Sequence, residues 1–276
     1  MADQAAAGSA WPESTKIDRT VAHEARVYDY LLGGSTNFEV DRKAALRAGA
    51  AVGGIDVARA SARSCRLFLK QVMHHLALEA GVEQFLDIGT GIPDEGNVLS
   101  VAQAALPRAR VVSVDNDPIV FAHTHALTKT TPEGAADFVE GDLRRPDAIL
   151  RRAKATLDLD RPVAVLLLSV LHHVRDADDP AGIVAEFMRA VPSGSYLAVS
   201  HLTGDMRPEE MAKLSASVPA DSSYVFAIRS HDEIARFFDG LDLVDPGIVP
   251  IDQWRPHAPD APHEGHYHYG ALAQKP

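Results

Sequence analysis

An open, doubly wound α/β sheet is the fold class this sequence predicts, and three observations carry the prediction. From Gln84 onward, short β-branched runs alternate with helical patterns, which is the rhythm of a parallel sheet covered by helices on both faces. The run Val163–Leu168 is apolar without a break, as a central strand buried on both sides must be. Gly89-Thr90-Gly91 falls between the first of these strands and its helix, where such sheets bind ligands. With 276 residues, 46% hydrophobic and 24% charged, the chain is long enough and apolar enough for one large folded unit.

Residues 1–16 are rich in Ala, Gly and Ser and read as a mobile tail. A helix is expected over Thr20–Leu32, burying Val21, Ala25 and Leu32 and stopped by Gly33-Gly34. Residues 39–50 predict a second helix, broken by Gly53-Gly54. Ser61–Ala80 predicts a third, because Cys65, Phe68, Leu69, Val72, Met73 and Leu76 recur at spacings of three and four. Then come a strand at Gln84–Ile88, a helix through Val98 and Ala102, and a strand Arg110–Val114 that ends in Asp115. Asp117-Pro118 opens a helix with proline at its first position. Strands at Asp137–Glu140, Val163–Leu168 and Tyr196–Ser200 alternate with helices opened by Pro146 and Pro180. A helix near Pro208–Ser217 follows, then one over Ser230–Asp239 with the capping box Ser230 and Glu233. Leu243–Ile251 and Tyr267–Ala273 read as an edge pair of strands. The organisation is thus a helical cap over residues 17–81 and a ligand-binding domain over 82–276, joined in one catalytic unit.

The formal charge of −11 argues against a duplex nucleic-acid binder, which needs clustered cations. One cysteine excludes a disulfide framework and a multi-cysteine metal centre. No apolar run reaches the roughly 20 residues of a membrane span, and the first residues lack the basic and apolar segments of a signal peptide. A cytoplasmic protein without membrane or metal is expected. His257, His263, His266 and His268 cluster near the C-terminus, without the partners at fixed spacing that a metal site requires.

The chemistry concentrates in a few places. Glycines 89 and 91 let a ligand approach the backbone, and the following helix offers free N–H groups. Asp115 lies 24 residues past Gly91, at the end of the second strand, where a carboxylate accepts both hydroxyl hydrogens of a ribose. The pair reads as an adenosine site. The dinucleotide fingerprint needs a third glycine where this chain has Asp94. Asp94 and Asp87 repel a pyrophosphate but suit the ammonium of a methionine tail, which favours S-adenosylmethionine (SAM) over NAD. After the third strand, Asp142 is suited to the adenine amino group and Leu143 to the ring. Ser169, His172 and His173 follow the fourth strand, and His172 is a candidate general base. The stretch Tyr28–Phe38, with two tyrosines, a double glycine and Asn-Phe, reads as a lid turning at Gly34, with Tyr28, Tyr30 or Asn37 on the cofactor and Tyr30 a second catalytic candidate. Cys65 is expected in the core.

Together the strings Asp87-Ile88-Gly89-Thr90-Gly91, Asp115-Asn116-Asp117-Pro118, Glu140-Gly141-Asp142-Leu143-Arg144 and Val170-Leu171-His172 resemble a class I SAM-dependent methyltransferase. The string Tyr28-Asp29-Tyr30-Leu31-Leu32-Gly33-Gly34 with Asn37-Phe38 is similar to an actinobacterial group of S-adenosyl methyltransferases of unsettled substrate. The resemblance implies a Rossmann-like, mostly parallel sheet of seven strands, the last inserted antiparallel. It implies Asp87, Gly89, Thr90 and Gly91 at the methionine end, Asp115 and Asn116 at the ribose, and Asp142 and Leu143 at adenine. Pro93 stands where the wider superfamily prefers glycine. The acceptor expected is a small molecule. Two rival readings are a non-catalytic SAM or nucleoside binder and an NAD-linked oxidoreductase.

Overall fold

The computed structural model describes residues 17–276 except Glu95, Thr128, Ala220, Asp221, Ser223, Tyr224 and residues 256–266. The expected tail and the histidines at 257, 263 and 266 lie outside the described residues.

Helix α1 spans Glu24–Leu32, α2 Glu39–Ala51 and α3 Ile55–His74, with α3 running on into a π-helical turn at His75–Glu79. Helix α1 starts later than the periodicity suggests. Thr20 donates from both its N–H and its hydroxyl to Asp18, a local turn that competes with helix, and Val21 is 46% exposed. Gly33 ends α1 in the left-handed region at φ 88°, and the Gly34 N–H reaches back to the Asp29 carbonyl at 2.8 Å. Asp41, fully buried at the start of α2, accepts from the N–H of His23 at 3.0 Å and of Phe38 at 2.8 Å. One carboxylate therefore ties the entrances of α1 and α2 together.

The sheet strands are β1 (Gln84–Ile88), β2 (Arg110–Asp115), β3 (Ala135–Glu140), β4 (Ala164–Leu168), β5 (Tyr196–Leu202), β6 (Asp242–Leu243), β7 (Val249–Pro250) and β8 (His268–Gln274). The helices between them are α4 (Val98–Ala105), α5 (Pro118–Leu127), α6 (Pro146–Ala153), α7 (Pro180–Arg189), α8 (Pro208–Ala216) and α9 (His231–Ala235). The strand order is β3-β2-β1-β4-β5-β8-β6, with β7 also paired to β8. The first five strands run parallel, and β8 is antiparallel to β5, β6 and β7. Eight strands are thus described where seven were expected. The predicted strand 243–251 is interrupted by a turn in which Gly247 N–H donates to the Val244 carbonyl, and Pro246 has no N–H for a ladder. Nor is β8 at an edge: it has partners on both sides.

Alternation along the strands sorts the core into two layers. Leu86, Ile88, Val112, Val114, Val165 and Leu167 face α6 and α7. Phe85, Val111, Ala164 and Leu166 face Phe68, Val72 and Met73 of α3 and Val98 and Ala102 of α4. The long N-terminal helix is therefore one of the sheet's covering helices, and α1 and α2 stand on it above the carboxyl ends of the strands.

Candidate functional site

The carboxyl ends of β1, β2 and β4 surround one cavity of about 230 Å³, at the point where the strand order reverses between β1 and β4. Its first wall is the turn after β1. The N–H groups of Gly89 and Thr90 both donate to the Val114 carbonyl, at 2.8 and 3.0 Å, which lashes the turn to β2. Gly89 has φ 76°, and a Cβ there would stand 2.6 Å from Val170 Cγ2. Gly91 differs: at φ 68° its conformation disfavours a side chain, but a Cβ would meet nothing within 4 Å, because that position faces the open cavity.

Asp115 lies under this turn, 6% exposed. Its Oδ2 accepts from the Gly91 N–H at 2.9 Å and its Oδ1 from the Asp117 N–H at 3.0 Å. Burial pushes its carboxyl up to about 6 despite these bonds. Asp87, 5% exposed, is likewise raised to about 6 by burial, with Thr90 and Arg66 pulling the other way. Asn116 lines the cavity from an exposed position. Asp142 and half-buried Leu143 line it beyond β3. Asp142 also caps its own turn, accepting from the Arg144 N–H at 2.9 Å and from the guanidinium at 2.6–3.0 Å. Burial raises this carboxyl, and the Arg144 bonds outweigh that and hold it below the usual range. Asp94 turns away: it caps Gly96 and pairs with Arg66 at 3.2 Å, so it is not the charge inside the cavity that its sequence position suggests.

On the β4 side, Ser169 has φ 56° and its N–H donates to Ser200 Oγ at 2.9 Å. Cys65 reaches the cavity from α3, but burial pushes its thiol up to about 11, with a Ser169 hydrogen bond opposing. It stays a neutral thiol.

The cover is α1 itself. Glu24, Ala25, Val27, Tyr28 and Leu31 line the cavity. The Tyr28 hydroxyl donates to the Ala62 carbonyl at 3.0 Å, and the Arg66 guanidinium lies 5.7 Å from its ring centre. Three of the expected contacts lie elsewhere. Asn37 is locked in its own turn, donating to Asp29 at 2.7 Å and to the Gly34 carbonyl at 3.0 Å while accepting from Arg42. Gly34 borders a separate hollow with Asp94. Tyr30 packs with Val27, Ala44 and Ala45. Arg26 is buried and supplies the pin that holds α1 down. Its Nε is 3.2 Å from Asp117 Oδ2, and its other nitrogens donate to the carbonyls of Asp18 and Val21 at 3.0 Å.

In the far half of the cavity only His172 and His173 were legible in the sequence as site residues. His172, 5% exposed, sits in a short turn after β4 with ring centres of His173 at 4.3 Å, His201 at 5.6 Å and His268 at 6.0 Å. Its Nδ1 is buried without a hydrogen-bond partner. Burial and the surrounding imidazoles and Arg229 hold its pKa well below the ordinary value. His201 is held down to about 3, first by burial. Arg229 donates to the carbonyls of Leu171 and Val174 and to His201, so one guanidinium fixes the whole histidine turn. Beyond it the walls are Ala48, Val52, Leu202, Leu214, Phe226 and Tyr267. His268 also lines this half, with Ser61 Oγ 3.3 Å from its Nδ1. Arg66, Ser61, His201 and Arg229 escaped the sequence reading, and His268 entered it only in a metal context. A signal existed for α3: Ala58, Ser61, Ala62, Cys65, Arg66 and Leu69 share one helical face. Among the described residues, no group of three or more His, Cys, Asp or Glu is arranged to hold a metal ion, and no helix is long and apolar enough to cross a membrane.

Comparison with known proteins matches residues 10–276 to a family model described as S-adenosyl methyltransferase. A DUF574 family protein from Streptomyces avermitilis MA-4680 is 40% identical, covers 95% of this chain and 100% of its own, and superposes with a TM-score of 0.87. A methyltransferase candidate from Thermobifida fusca YX is 35% identical over 97% of this chain and 99% of its own, with a TM-score of 0.84. No curated protein matches. At 18% identity and a TM-score of 0.50, the mitomycin 7-O-methyltransferase MmcR shares the fold over 80% of this chain and 57% of its own. The chain belongs to the S-adenosyl methyltransferase family, enzymes that take their methyl group from S-adenosylmethionine.

Proposed function

We propose that this enzyme methylates a small molecule held in the far half of the cavity, beside a cofactor seated against β1, β2 and the turn after β3. The observation that carries the reading is the continuity of one cavity, from Asp115 at one end to Tyr267 at the other, beneath α1. A cavity roofed by a helix suits an enclosed small acceptor better than a polymer.

The residues present fit the cofactor. Two desolvated carboxylates, Asp87 and Asp115, lie where hydroxyl and ammonium donors would restore lost hydration. Gly91 leaves open a space that a side chain would take. In this reading Asp115 and Asn116 hold the ribose, Asp142 and Leu143 flank adenine, and Asp87, Thr90, Ser169 and Tyr28 surround the methionine end. Arg66, missed in the sequence, faces the same end as Asp87 and is suited to the cofactor carboxylate. Bound there, SAM supplies a methyl group on a positively charged sulfur, taken by in-line displacement. The protein's share is positioning and exclusion of water. His172, kept neutral, is the side chain suited to take the acceptor's proton. Residues 17–81 act as the cap over this reaction, and the free buried thiol of Cys65 suits the cytoplasm.

Titration calorimetry tests this. SAM should bind and NAD should not, and Asp115→Ala should weaken SAM by about 1.5–3 kcal/mol, the range for hydrogen bonds to a charged group. Unchanged affinity in a folded Asp115→Ala variant would remove the ribose assignment. Transfer of labelled methyl groups to a cell extract separates catalysis from mere binding.

A further inference from the structure

The two halves of the cavity differ in charge. Arg66, Asp87, Asp115, Asp142 and Arg144 belong to the cofactor half, where Arg144 pairs with Asp142; Glu24 stands at the border between the halves, acting on both Asp115 and His173. Beyond Glu24 the other half is lined by aliphatic and aromatic side chains, by imidazoles and by the Ser61 hydroxyl, with no carboxylate, ammonium or guanidinium among the described lining residues. A charged acceptor would be buried there unpaired, with its hydration lost and no countercharge to replace it. Carboxylates, phosphates and protonated amines are therefore poor occupants.

The polar features of this half are specific. The rings of His172 and His268 stand edge to face, with centres 6.0 Å apart. His268, 7% exposed, is steadied by Ser61. His172 Nδ1 is more than nine-tenths buried and has no partner. An orphaned buried ring nitrogen is costly to leave unmade, so it marks where a ligand's hydrogen-bonding group belongs. We infer that the acceptor is a neutral molecule with an apolar body and one acidic hydroxyl of phenol or enol type, bracketed by His172 and His268. This rests on the methyltransferase reading above. The hydroxyl oxygen forms the new bond to the methyl carbon as the carbon–sulfur bond breaks. That bond's electron pair stays on sulfur, and the hydroxyl proton passes to His172. A buried imidazole is a weak base, which selects a hydroxyl with a pKa of about 10, as in a phenol, over an aliphatic alcohol.

The test uses the full chain loaded with S-adenosylhomocysteine and three matched probes: 2-naphthol, 2-methoxynaphthalene and 2-naphthoate. Calorimetry should show 2-naphthol binding about tenfold or more tighter than the other two. His268→Phe keeps the ring volume and should erase most of the preference for hydroxyl over ether, with affinity for S-adenosylhomocysteine within about twofold. Ser61→Ala should reduce the preference about threefold. The inference is overturned if 2-naphthoate binds as tightly as 2-naphthol, if no probe binds the loaded chain, or if the preference survives both His268→Phe and His172→Phe. Failure of the unmodified chain to bind S-adenosylhomocysteine would instead count against the cofactor site.

Discussion

Gly33-Gly34 and Gly89-Thr90-Gly91 are both glycine turns at the end of a regular element, and in the sequence both invite a ligand. The structure separates them. Gly33 supplies the left-handed residue that ends α1. A Cβ on Gly34 would overlap the Asp29 carboxylate, which is itself bound by Asn37. That turn is closed on itself. At the other turn, Gly89 is pressed against Val170 and Gly91 looks into open space, with its N–H on a buried carboxylate. Glycine reports an unusual backbone in both cases. Only the second stands at the carboxyl ends of adjacent strands, where the sheet divides its crossovers and leaves a crevice.

Substitutions should widen this contrast. Gly89→Val combines a positive φ with a clash on Val170, and SAM affinity should fall about a hundredfold or more. A folded Gly89→Val variant that binds normally would move the cofactor cradle elsewhere.

Asp87→Asn gives an effect that depends on pH. The Asp87 carboxyl has a folded pKa of about 6 against 3.8 in its unperturbed state. Between these values the native state holds the extra proton, so the contribution of Asp87 to stability is full below pH 3.8 and is lost as pH rises through 6. Without cofactor, Asp87→Asn should gain about 2–3 kcal/mol on the parent between pH 4 and pH 7. Denaturant melts at both pH values measure this, and a constant difference would mean that Asp87 is not desolvated.

The smallest change in binding is expected at the closed turn. Asn37→Ala should leave SAM affinity within about twofold while lowering stability by about 1–2 kcal/mol through the lost bonds to Asp29 and Gly34. A tenfold loss of affinity would restore Asn37 as a ligand contact.

What the sequence revealed follows the same line. The parallel strands and their helices were legible because their patterns are local: Val163–Leu168 is apolar throughout, and proline opens α5, α6 and α7. The turn after β1 and the acids at the strand ends were legible because topology dictates their place. Of the far half only His172 and His173 were, because Ala48, Val52, Leu214 and Phe226 look like any core residues until α2 and α8 are packed side by side. Tyr30 and Asn37 misled for a related reason: unusual composition marked a constrained turn, and nothing local says which way a turn faces. Val21 had the right period for α1, but the Asp18–Thr20 turn took its backbone first.

Asp41 has one further consequence. A helix as short as α1, with nine residues, has little order of its own in water. It borrows that order from Asp41, which holds the first N–H groups of two segments, and from Arg26, which is anchored to the loop beyond β2. The roof of the cavity should therefore open as one cooperative unit, with amide protons of α1 and of the start of α2 exchanging together at a common rate. A ligand bound beneath that roof would slow both segments by the same factor.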